Sequence, residues 1–187
     1  MSNEPMRYGG VNHVALVARD MAETVDFYTN VLEMPLVKTV EFAGGRGQHF
    51  FFDCGGGGTL AFFWFPDAPA AAPGIASMHE DVRGKGSMTA IASMNHLAIS
   101  IPLEKFDEYV ARLKAKGLKP YVINHDDSAA GGAPQMHDGV WIRSMYFRDP
   151  NGIHMELAAY TRAFRPADVA HAPMNAKGEH VGRHEMA

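Results

Sequence analysis

The chain has 187 residues, 47% of them apolar, a formal net charge of −4 and a single cysteine, Cys54. That length and apolar share suffice for one domain, or two small modules around a shared core, and exclude a wholly disordered chain. The negative balance gives no footing for a nucleic-acid phosphate partner, and one cysteine excludes both an intramolecular disulfide and a cysteine-rich zinc site.

The opening residues, MSNEPMRYGG, lack the apolar run of a signal peptide. The longest apolar stretch, residues 60–65, is far too short to span a bilayer. A soluble cytoplasmic protein without a membrane partner is the expectation. Along the chain the first informative feature is a repeat. Asn12-His13-Val14-Ala15-Leu16 returns as Asn95-His96-Leu97-Ala98-Ile99. Each copy reads as a strand, with a helical pattern and further strand-like runs behind it.

In the first half, Asp20 followed by Glu23 has the form of a helix-start capping box. Val25, Tyr28, Val31 and Leu32 recur at helical spacing, and Pro35 ends the helix. Strands are expected over 36–42, 49–53 and 59–65. A stretch rich in Ala, Pro, Gly and Ser follows and reads as a linker, residues 67–93. In the second half Pro102 suits a first helical turn, and Phe106, Tyr109, Val110 and Leu113 form the apolar stripe. Gly117 is the stop. Strands are expected over 119–124, 140–147 and 153–159. The fold class is therefore α+β: two tandem β-α-β-β-β modules, 11–66 and 94–160, forming a curved mixed sheet around a metal pocket. A tail over 161–187 carries His171, His180 and His184 and is expected to be poorly ordered.

Side chains alternate faces along a strand. Val11, His13, Ala15 and Val17 share one face; Met94, His96, Ala98 and Ser100 share the matching one. Glu156 shares a face with His154 in the last strand. Pseudo-symmetric packing of the modules would bring the two first strands together and enclose both imidazoles.

With these residues in view, the chain resembles the vicinal-oxygen-chelate superfamily, which includes glyoxalase I, fosfomycin-resistance proteins and extradiol dioxygenases. The resemblance covers residues 11 to about 160. Asn12-His13-Val14-Ala15, Asn95-His96-Leu97-Ala98 and Tyr146-Phe147-Arg148-Asp149-Pro150-Asn151-Gly152, with Glu156 following, carry it. It implies metal ligands at His13, His96 and Glu156. Aligning Gly58-Thr59-Leu60-Ala61-Phe62 with Gly152-Ile153-His154-Met155-Glu156 puts Phe62 at the fourth place, where no ligand is possible. A two-histidine, one-carboxylate set leaves coordination positions open. Fe(II) is the first metal implied, with Mn, Zn or Ni as alternatives, and a homodimer is expected by the same likeness.

Tyr146 lies nine residues after His137 and ten before Glu156. This order resembles the ring-cleaving dioxygenase signature, in which a His and a Tyr flank the substrate beside the metal-binding Glu. His137 and Tyr146 are accordingly catalytic candidates for a catecholic or vicinal-diol substrate. Extradiol enzymes also place an acid–base histidine just before the last strand of the first module, and Gly58 stands there. His49, His79 and His154 are the candidates to replace it, with His154 best placed. Two other readings stay open. One is a glyoxalase-like lyase, isomerase or thiol transferase using the metal as a Lewis acid. The other is a resistance protein that only binds a small molecule, against which the intact triad argues.

Overall fold

A computed structural model describes residues 6–77 and 89–180. His79 and His184 lie outside the described residues. The order of elements is β1 (His13–Val17), α1 (Met21–Asp26), β2 (Leu36–Phe42), β3 (Gly47–Asp53), β4 (Thr59–Trp64), β5 (Leu97–Ser100), α2 (Phe106–Ala115), β6 (Tyr121–His125), β7 (Ile142–Arg148) and β8 (His154–Tyr160). The strands form two four-stranded sheets, ordered β1-β4-β3-β2 and β5-β8-β7-β6. In each sheet the first strand pairs parallel with the last, and the remaining neighbours are antiparallel. This is the expected pair of β-α-β-β-β modules.

Local signals act as read. The Asp20 carboxylate accepts the Glu23 backbone N–H at 3.0 Å and caps α1. A π-helical turn, Phe27–Val31, extends that helix, and Leu32 ends it. In the second module Pro102 precedes a short 3-10 turn, Leu103–Lys105, which leads into α2. The Asp-Pro-Asn-Gly turn before β8 is held by Asp149. Its carboxylate accepts backbone N–H groups of Asn151 and Ile153 at 2.9 and 2.8 Å. Burial pushes the Asp149 pKa up, against the pull of those hydrogen bonds. The tail carries more structure than its composition suggests: a short turn, Pro166–Val169, is locked by Arg162 on Asp168 at 2.7 Å.

One difference from the expectation decides where chemistry can occur. Within one chain the two sheets do not join, since β1 and β5 each pair with a single strand of their own module. The helix-bearing faces of the sheets are what meet. Tyr28, Phe52 and Phe62 from the first module share one buried cluster with Phe106, Phe147 and Met155 from the second. The Tyr28 hydroxyl donates to Asp149 across the junction at 3.2 Å. Arg112 and Lys116 from the α2 end pair with Glu33. Burying aromatic side chains is worth roughly 1.5–3 kcal/mol each, so a junction built on several rings dominates the arrangement. Each sheet's other face, with His13 on one and His96 on the other, therefore points away from the shared core. The period-2 pattern of the strands is the same whichever faces pack, which is why it did not foretell this.

Candidate metal centre and its surroundings

In the second sheet the pairing register sets a group of side chains on the open face. Ala98 pairs with Glu156, and Glu156 with Tyr146, which pairs in turn with Tyr121. His96 Nε2 lies 2.9 Å from Glu156 Oε2. Glu156 is 5% exposed at its side chain, so the carboxylate is buried beneath the imidazole. His96 Nδ1 is 2.8 Å from Asn95 Oδ1. An amide oxygen only accepts, so Nδ1 carries the proton and Nε2 presents its lone pair. Two acceptors then face each other at the His96–Glu156 contact. A second proton on the ring or a shared cation relieves that, and a divalent ion suits an imidazole and a carboxylate.

His13 repeats the device. Its Nδ1 is 2.8 Å from Asn12 Oδ1, so Nε2 is again the free donor atom. Yet His13 is exposed, and its ring neighbour is Phe51, at 6.2 Å between centroids. Among the described residues no group of three His, Cys, Asp or Glu side chains converges to hold a metal ion. One chain thus unites His96 with Glu156 and leaves His13 on another surface.

The register also corrects the fourth position. Ala15 pairs with Ala61 in the first sheet as Ala98 pairs with Glu156 in the second. The counterpart of Glu156 is therefore Ala61, one residue earlier than Phe62. Phe62 is fully buried in the core, its ring 4.9 Å from that of Tyr28. Neither residue ligates, so no fourth protein donor arises either way. Gly58 also reads differently in three dimensions. A Cβ there would lie 2.9 Å from the Val11 carbonyl oxygen, so the position excludes any side chain.

Tyr146 sits beside the His96–Glu156 pair, edge-on to the His96 ring at 5.7 Å. It stacks on Tyr121 and on His154, both at 5.1 Å. Burial and the neighbouring Glu156 charge push its phenol up to about 12, so it stays protonated at neutral pH. His154 is buried, with Nε2 3.0 Å from the Tyr121 hydroxyl. The structure does not seat His137 against the phenol. His137 Nε2 lies 2.9 Å from Asp126, and its Nδ1 accepts the Gly139 N–H at 3.1 Å. His125 is the imidazole on the Tyr146 hydroxyl, at 3.0 Å. Sequence reading missed His125 and Tyr121; both alternate onto the open face of β6, a period-2 signal present in Tyr121-Val122-Ile123-Asn124-His125.

On the first sheet's open face His49 stacks on Phe63 at 3.6 Å. Its Nε2 is buried without a hydrogen-bond partner among the described residues, and burial lowers its pKa.

The model of the Glyoxalase/Bleomycin resistance protein/Dioxygenase superfamily matches residues 10–157. Solved structures agree on the fold. A glyoxalase family protein from Enterococcus faecalis superposes with a TM-score of 0.55 at 20% identity, covering 80% of this chain and 96% of that one. A fosfomycin resistance protein, FosX, from Listeria monocytogenes, complexed with Mn(II) and sulfate, gives 0.51 at 20% identity, covering 83% and 95%. A Bacillus subtilis subsp. subtilis str. 168 protein provisionally described as a dioxygenase gives 0.51 at 21% identity, covering 80% of this chain and 40% of that one. No helix among the described residues is long and apolar enough to cross a membrane. Repeat, module order and matched span converge: the chain belongs to the glyoxalase/bleomycin resistance/dioxygenase group, the vicinal-oxygen-chelate superfamily.

Proposed function

We propose that this chain is an extradiol-type dioxygenase whose metal site is completed by a second copy: His13 of one protomer joins His96 and Glu156 of the other. The observation that carries this reading is the Tyr146 phenol beside the His96–Glu156 pair, on an open face that lacks its third donor. The exposed faces of β1 and β5 favour the pairing, because both run along sheet edges with unused backbone groups. An isologous two-fold contact of β1 on β5 would build two identical sites.

Bound by three protein donors, a divalent ion would supply open positions for two vicinal oxygens, and iron would add reactivity toward dioxygen. The chain's own residues do the rest. Asn12 and Asn95 hold the imidazoles with Nε2 forward. Tyr121 is exposed and stacks on the buried Tyr146 and His154, so its ring offers a planar aromatic diol a supported surface. The Tyr146 hydroxyl supplies a hydrogen-bonding group beside the diol. His137 remains a candidate from the sequence order, entering through the loop it shares with Asp126.

The competing reading is a Lewis-acid lyase, isomerase or thiol transferase, favoured by the fold shared with an Mn(II)-bound FosX. Reconstitution under argon with Fe(II), Mn(II) or Zn(II), followed by oxygen uptake on a panel of catechols, separates the two. The expected result is iron-dependent uptake, slowed by an order of magnitude or more in Tyr146→Phe, the scale of one lost catalytic hydrogen bond. No uptake with any diol would transfer the assignment to the Lewis-acid reading. Metal-free protein after careful preparation would favour a binding protein.

A further inference from the structure

We infer that Tyr146 and His125 form a proton relay that takes a proton from the substrate oxygen bound beside Glu156, replacing the acid–base histidine for which Gly58 leaves no room. The inference rests on the proposed site and deepens it. His125 closes β6, paired with Ile142 of β7. Its Nδ1 is 3.0 Å from the Gly131 carbonyl oxygen. A carbonyl only accepts, so Nδ1 bears the hydrogen and Nε2 bears the lone pair. The Tyr146 hydroxyl, 3.0 Å from Nε2, must then donate to it. That leaves the phenol oxygen's lone pairs as acceptors.

The phenol has other neighbours. The Glu156 carboxylate is the other neighbouring acceptor, and its charge helps push the phenol pKa up. His96 and Glu156 would hold the cation, which would engage that carboxylate and leave His125, the phenol's hydrogen-bond partner at 3.0 Å, as its acceptor. Stacking on Tyr121 and His154 holds the ring in place while the hydrogen moves. The balance is simple. The substrate O–H bond breaks and its electron pair stays on the substrate oxygen. The phenol oxygen gains that hydrogen as it gives its own to Nε2. Tyr146 ends neutral, His125 ends as an imidazolium with Nδ1–H still on Gly131, and the substrate ends as an oxyanion. No oxidant enters this step.

The other histidines are less suited. His137 has both ring nitrogens engaged by Asp126 and Gly139. His154 is buried, with Nε2 at the Tyr121 hydroxyl rather than toward the diol. His49 belongs to the first sheet and stacks flat on Phe63.

Two measurements test the relay. In nitrogen-15 NMR of the protein with one equivalent of zinc, His125 should show a protonated Nδ1 and an unprotonated Nε2. Tyr146→Phe should move the Nε2 resonance and leave Nδ1 protonated. A proton on Nε2, or an Nε2 resonance indifferent to Tyr146→Phe, overturns the inference. With iron and a catechol that turns over, His125→Ala should lose ~10²-fold in rate or more, on the scale of a general base. Added imidazole should restore part of that loss, with bound metal unchanged. Full turnover in His125→Ala would equally overturn it. The NMR result is read without turnover, so a protein inert toward oxygen defeats the dioxygenase reading while the direction of this hydrogen bond is decided separately.

Discussion

Exchanging Phe62 and Ala61 in turn tests the register that defines the site. Phe62 is fully buried, 4.9 Å from the Tyr28 ring and 6.0 Å from the Phe52 ring. Phe62→Ala therefore empties the centre of the inter-module core and should cost about 3–5 kcal/mol. For a chain of this size each kcal/mol lowers Tm by about 2–4 °C, so a fall of roughly 6–20 °C is expected in a thermal scan. Metal bound per folded chain should not change. Ala61, itself fully buried, lies on the His13-bearing face of its sheet and stands where Glu156 stands in the second module. Ala61→Glu should add a fourth arm, and a second carboxylate, to the proposed centre, tighten metal binding and close a position needed by substrate, so that oxygen uptake falls. Elemental analysis, thermal unfolding and oxygen consumption on both variants decide the matter. Metal loss in Phe62→Ala without loss of stability, or tighter metal in a Phe62→Glu protein and not in Ala61→Glu, would refute the register.

Further outcomes follow from other contacts. Asn95→Ala frees the His96 ring to rotate and exchange tautomers, and should weaken metal binding by about 10–100-fold in a competition titration with a chelator; unchanged affinity would make the Asn95 contact incidental. Asn12→Ala should do the same through His13. Glu33 is held down to about 2 by hydrogen bonds from Arg112 and Lys116 at the module junction. A depressed carboxylate stabilises the fold above its ordinary value of 4.5 and loses that contribution as pH falls toward 2. Glu33→Gln should accordingly flatten the loss of stability between those pH values, by a small amount because the groups are exposed. Equal slopes in acid titrations of the two proteins would show that Glu33 does not couple the modules.

Much of the fold was legible because it rests on local rules. The Asp20 cap and the Asp149 turn occupy their expected elements, and the repeated Asn-His pairs sit at the strand starts, with His13 opening β1 and His96 immediately before β5. The His96–Glu156 contact was legible from the order of strands, since a parallel pairing of β5 with β8 brings these two side chains together. The rest depends on quantities that a pattern does not contain. The slip from Ala61 to Phe62 arose at residues 55–58. Three of those glycines adopt positive φ and set the start of β4 by loop geometry rather than by composition. His125 escaped notice because its partner Gly131 lies in an irregular loop, and only the folded loop reveals that contact. The separation of the two sheets escaped notice because both faces of β4 and β8 are apolar enough to be buried, as with Leu60, Ala61 and Phe62.

The central claim is a metal site shared between two chains, and subunit complementation tests it most directly. His13→Ala and Glu156→Ala are each expected to bind metal poorly as pure proteins. Unfolded together in equal amounts and refolded, they pair at random. Half the dimers are then mixed, and each mixed dimer regains one intact site of its two, so about a quarter of wild-type metal binding should return. Recovery near that level, measured as bound metal per chain, is the predicted result. No recovery, with both variants folded and dimeric, would mean that His13 and Glu156 serve a site within one chain and would contradict the account.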